Sequence, residues 1–154
     1  MLDLKEFLED LINNALAEIE GTGTSVYTFA FYHDHESRTL SVCIDTKENS
    51  DKLVLQSNEW SNKHFLDYLN EGDLDSLKLF QINSGRNFSL GDFTHVNLAR
   101  TKIPTKIEID NSFYISVIKI LQGRAADIKL RSNTPKEVIF CTSTEDDEVG
   151  LQWK

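Results

Sequence analysis

Two runs rich in β-branched and aromatic side chains, SVYTFAFY at residues 25–32 and TLSVCID at 39–45, flank the polar connector HDHESR. A connector of that length between two strand-forming runs predicts a β-hairpin. The first run is apolar on both of its alternating faces: Tyr27, Phe29 and Phe31 on one, Val26, Ala30 and Tyr32 on the other. A strand that is apolar on both sides has no face to give to water, so the hairpin is expected inside its sheet, with a helix over at least one side. Everything else in the chain has to be arranged around that demand.

The clearest helix runs over residues 4–19, where Leu4, Phe7, Leu8, Leu11, Ile12, Ala15, Leu16 and Ile19 recur in steps of three and four. That spacing puts them on one stripe. Asp3 with Glu6 reads as a capping box at its start, and Gly21 and Gly23 supply the positive φ that ends it. A second helix is predicted over 110–123, capped by Asp110 or Asn111 and free to continue to Leu130. Between them, 51–55 reads as a short helical turn, 61–70 as a helix with Phe65, Leu66 and Leu69 on one face, and 73–80 as a short helix capped by Asp73. Residues 84–92 read as an ordered loop; 96–103, ended by Pro104, match no element. EVIFCT at 137–142 and VGLQWK at 149–154, joined by STEDDE, predict a second hairpin. The expected fold is a single α+β domain over 1–154, with an antiparallel sheet packed by two longer amphipathic helices and some short ones.

With 154 residues, 40% of them hydrophobic, the chain is long enough to bury a full core without disulfide or metal staples. Its 16 basic and 25 acidic side chains leave a net charge of −9. Nucleic acid and anionic lipid would repel such a body, so neither is an expected partner. No apolar run reaches the ~20 residues of a bilayer span, and MLDLKEFLED carries acids where a leader carries basic and apolar residues, which predicts a cytoplasmic protein. Cys43 and Cys141, each inside an apolar strand, are expected as reduced thiols. Their surroundings disfavour a nucleophilic thiolate.

His33, Asp34, His35 and Glu36 are the first place to look for a metal, because histidines two apart on a strand share a face. Placed at a hairpin tip, they read instead as a solvated turn; a metal would need a third ligand, from His64, His95 or elsewhere. Asp73-Leu74-Asp75 fails as a calcium loop for want of a ligand at position five and a glycine at six. Ser84-Gly85-Arg86-Asn87 lacks the lysine of a phosphate loop, and no serine sits in a G-x-S-x-G elbow. No catalytic residue, metal ligand or cofactor is therefore assigned. Glu145, Asp146, Asp147 and Glu148 form an acidic turn with two readings: a solvated cluster that protects a sheet edge, or a contact surface for a basic partner. On the second reading they act together with Asp34 and Glu36.

Three segments, SVYTFAFYHDHESRTLSVCIDT, the Asn58-Glu59-Trp60 motif, and RNFSLGDFTHVNLA from Arg86 to Ala99, together resemble a bacterial family of small domains found among the immunity proteins of polymorphic toxin systems. The likeness spans most of residues 1–142, and its motifs are aromatic packing signatures. It implies an inhibitor with no chemistry of its own, which binds and occludes a cognate toxin. Trp60, Phe88 and Phe93 are the family-like positions, with core packing as their other role. Two further classes stay open: a small metal-dependent hydrolase using His33, His35, His64 or His95, and a phage or regulatory adaptor that binds another protein.

Overall fold

A computed structural model describes residues 3–154. The reading of the extreme N-terminus as lacking a leader rests in part on Met1 and Leu2, which lie outside the described residues. The chain divides into two compact units, one formed by the segment up to Lys47 with Ser89–Lys154, the other by Glu48–Phe88.

The first unit is built on a five-stranded sheet. Its elements are α1 (Leu4–Thr22), β1 (Thr28–Asp34), β2 (Thr39–Asp45), β3 (His95–Lys102), α4 (Asn111–Lys129), β4 (Ile139–Thr142) and β5 (Leu151–Trp153). The strand order is β3-β2-β1-β4-β5, which places the first hairpin at the centre. Phe29 and Phe31 of β1, with Leu40, Val42 and Ile44 of β2 and Phe140 of β4, join the buried stripe of α1 and residues Phe113, Val117 and Leu121 of α4 in one core. Leu8, Leu11 and Val117 are buried in it, as the helical spacing requires. This is the expected α+β architecture.

Four details differ from expectation. The sheet is mixed, not antiparallel, because β1 and β4 run parallel, Phe29 beside Phe140 and Phe31 beside Thr142; the chain between them, which passes through β2, β3 and α4, supplies the long connection that parallel neighbours need. The capping box of α1 does not form: Asp3 makes no side-chain cap bond, and Phe7 N–H donates instead to the Asp3 carbonyl. Gly21 stays helical, while Gly23, at φ 67°, ends the helix and donates to Ile19 O. Finally, β3 occupies the stretch that matched no element. Asn97 there takes φ 53° where the register with β2 shifts, a left-handed position that Asn tolerates better than most side chains.

Cys43 and Cys141 are both buried and free. Each pairs in register with Ala30, one from either side. Their Cα atoms are thus two strand spacings apart, ~9.5 Å, beyond the ~7 Å limit for a disulfide. Intact mass under non-reducing conditions should equal that of the fully reduced chain; a loss of two hydrogens would contradict this register.

The second unit holds most of α2 (Lys47–Glu71), and α3 (Leu74–Leu77). The two helical stretches read at 51–55 and 61–70 are one continuous helix. Asp73 caps α3 as expected, accepting from Ser76 N–H. Asn58 holds the return chain through two bonds, accepting from Asn83 N–H at 2.7 Å and donating to Asn83 O at 2.8 Å. Phe80 stacks on His64 and Tyr68, with Trp60 beside it. Trp60 is nevertheless 57% exposed, and Leu66 and Leu69 are exposed too. Core packing, the alternative role of Trp60, is therefore not what it does; Phe93, in the first unit, is buried.

Candidate functional site

The parallel pairing of β1 with β4 has a direct consequence at one end of the sheet. Strands that run parallel end together, so the β1–β2 turn and the β4–β5 loop emerge side by side. Residues 32–36 on one side and 146–148 on the other enclose an open groove of about 420 Å³. Of the six acids proposed from sequence, five line it: Asp34, Glu36, Asp146, Asp147 and Glu148. Glu145 precedes them on the same loop.

Both sides are held by specific bonds. Asp34 accepts from the backbone N–H of Glu36 and Ser37 and from Ser37 Oγ at 2.6 Å, and Arg100 pairs with it at 3.6 Å. These bonds, led by the Ser37 hydroxyl, lower the Asp34 pKa below the ordinary carboxylate value. Arg38 takes φ 54°, an uncommon conformation for a long side chain, and its guanidinium donates to the carbonyls of Pro104 and Ile107. Those bonds offset the local strain. Across the groove, Thr144 N–H donates to Asp147 O, and Ser143 Oγ donates to Glu148 O at 2.7 Å. Gly150 must stay glycine, since a Cβ there would sit 2.2 Å from Thr144 Oγ1. His33 N–H donates to Ser143 Oγ and the His35 ring reaches Thr144 O at 3.3 Å, tying the two sides together.

His33 corrects the solvated-turn reading. β1 extends two residues past the apolar run, and the His33 side chain is only 3% exposed. It shares the face of Phe29 and Phe31 and meets α4, where Nδ1 lies 2.9 Å from the Tyr114 hydroxyl. The His35 ring packs at 4.2 Å from it. Burial, then the neighbouring His35 and Arg38, push the His33 pKa down to about 4, so the ring is neutral at pH 7. Its Nε2 is buried with no hydrogen-bond partner. Tyr114, desolvated and facing Glu145 and Asp146, has its pKa raised and remains a phenol.

The other histidines are elsewhere. His95 sits at the far end of the sheet, near Ile44, bonded to Thr24 Oγ1; His64 belongs to the aromatic cluster of the second unit. Among the described residues no three His, Cys, Asp or Glu side chains converge as metal ligands do. Sequence reasoning missed Tyr114 and Ser143, and no local signal marks either: the hydroxyl of one and the turn of the other matter only once β1 lies beside β4 and α4. Comparison with protein-family models, with curated proteins and with solved structures finds no match for this chain.

Proposed function

We propose that the protein is a non-enzymatic inhibitor, an immunity protein that neutralises a cognate bacterial toxin domain by docking a basic surface of it against the acidic groove. The observation that carries this reading is the convergence of the two acidic tips. Glu36, Asp146, Asp147 and Glu148 share one groove, and among the described residues none of them forms an ion pair. Unpaired carboxylates held side by side repel each other, an arrangement that a cationic partner relieves. The net charge of −9 reinforces the same field. Cytoplasmic residence fits an inhibitor that meets its toxin where the toxin is made, and among the described residues no helix is long and apolar enough to cross a membrane. Nucleic acid is not a partner on this reading. The hydrolase alternative gains no support from the placement of the four histidines at three separate places.

The field of such a groove reaches about a Debye length, ~8 Å at physiological salt, so it acts mainly on encounter. Replacing Asp146 and Asp147 together by Asn should slow association with the toxin several-fold at low ionic strength and flatten its salt dependence, with dissociation and folding nearly unchanged. The partner to use is the toxin encoded immediately upstream, the usual gene order for immunity. Equal association rates for variant and parent at low salt would remove the groove from the interface. Turnover of any substrate that requires His33 or His35 would overturn the inhibitor reading itself.

A further inference from the structure

We propose that α2 is a self-association surface, on which a second copy of this chain lays its own α2 antiparallel to the first. Along the helix, Lys52, Leu55, Glu59, Asn62, Leu66 and Leu69 recur in alternating steps of three and four. A repeat of 3.5 residues keeps a stripe in line along the whole of its run, which is the geometry of a seam between two helices. All six side chains are exposed, the leucines at 61%, 49% and 53%, whereas Ser50 and Ser61 of the same helix are buried. A lone exposed leucine is ordinary. Three on one seam, in a unit that holds most of the large apolar side chains left exposed among the described residues, mark a face that lacks its cover.

The charges on the seam identify the cover. Antiparallel pairing about a two-fold axis beside residues 60 and 61 sets Leu55 against Leu66 of the second copy, Glu59 against Asn62, and Leu69 against the aliphatic stem of Lys52, each contact occurring twice. Lys63, one position beyond Asn62, then falls beside Glu59 of the second copy. The Glu59 carboxylate thus accepts from the Asn62 amide and faces the Lys63 ammonium. Within one chain Glu59 and Lys63 stand four apart on the helix, in the order that favours an ion pair, yet neither forms one among the described residues. Parallel pairing is disfavoured, because it sets Glu59 against Glu59 and Lys52 against Lys52 across the seam. A foreign helix would need this order of leucines and charges by design; the second copy supplies it by symmetry.

The association is weak. The paired stretch, 52–69, is only ~27 Å of helix at ~1.5 Å per residue, its central layer is polar, and two bodies of charge −9 repel at longer range. A small interface of this kind corresponds to a dissociation constant of about 0.1 mM. At a few micromolar the chain is a monomer. The proposal concerns a different face from the acidic groove and does not rest on the inhibitor reading.

The test is sedimentation equilibrium of the whole protein from about 5 μM to about 1 mM, which brackets that constant. The parent should follow a monomer–dimer equilibrium. Glu59→Lys and Lys63→Glu, each alone, place like charges on both sides of the axis and should raise the dissociation constant about tenfold or more. An equimolar mixture of the two variants should recover the parent's association, since each reversed charge then meets its complement on the other chain. Both positions are exposed, so far-ultraviolet circular dichroism should show the helix content unchanged. For the orientation, Leu55→Cys mixed with Leu66→Cys should give a disulfide-linked mixed dimer under mild oxidation, with Cys43 and Cys141 buried and out of reach. A parent that stays monomeric at about 1 mM, association that runs past the dimer, single reversals that bind as tightly as the parent, or a mixture that stays monomeric would each overturn the proposal. Crosslinking of either cysteine variant with itself in place of the mixed pair would overturn the antiparallel register.

Discussion

Replacing Leu11 by Ala should lower the unfolding free energy by about 2–5 kcal/mol, the range for a buried leucine whose site cannot collapse. Leu11 is 2% exposed and lies at the centre of the α1 stripe, between Leu8 and Ala15 in a helix that packs on β2, β3 and α4. Three surfaces meet there. The elements packed on α1 are two strands and a helix fixed by their own hydrogen bonds, so relaxation around a truncated core side chain is limited. Urea denaturation followed by far-ultraviolet circular dichroism would measure it, with an unchanged m value showing that the same surface still unfolds. The exposed Leu66→Ala change serves as control and should fall within about 0.5 kcal/mol of the parent. A loss below about 1 kcal/mol at Leu11 would mean that α1 is not seated as described.

What could be read from the sequence divides along the reach of the interactions. The stripe of α1, the cap and face of α4 and the first hairpin are local, period-driven features, and Leu8, Phe29, Val42 and Val117 lie where their spacing puts them. β3 gave no period because it is an edge strand with a left-handed residue inside it; Asn97 breaks the alternation that would have announced a strand. The continuity of α2 was hidden for a different reason. Between the two readable stretches it carries Ser57 and Asn58, residues that favour caps and turns in isolation but here occupy a largely exposed helix. The site was legible as two separate acidic turns. Their union depends on the parallel β1–β4 pairing, a contact between residues some 110 positions apart, and no window of sequence contains it. His33 shows the same limit at the scale of one side chain. Two more residues of strand turn it from a tip residue into a buried one, and its partner Tyr114 lies 81 positions away.

The burial of His33 should be visible as acid sensitivity. Its pKa falls from 6.5 to about 4 on folding, so between those values the unfolded chain binds the proton that the folded protein refuses. Stability therefore rises with pH across that window and is lost as pH falls from about 6.5 toward 4. At ~1.4 kcal/mol per unit, the shift corresponds to roughly 2–3 kcal/mol by pH 4. The groups that face the ring set the sign. Burial dominates, the charges of His35 and Arg38 act in the same direction, and only Asp34 opposes them; the Tyr114 hydroxyl holds Nδ1. Carboxylates also titrate in this range, so the measurement is a difference. Unfolding free energies of the parent and of His33→Gln should be taken from urea titrations at several pH values between 4 and 7. The variant should be less stable at pH 7, because a glutamine cannot reproduce the bond to Tyr114 in the same packing, and the gap should close by roughly 2–3 kcal/mol on acidification. The variant's pH curve is thus the flatter of the two. Parallel curves would show that His33 titrates in the folded protein as freely as in the unfolded chain. The ring, with its unpartnered Nε2, would then be open to water.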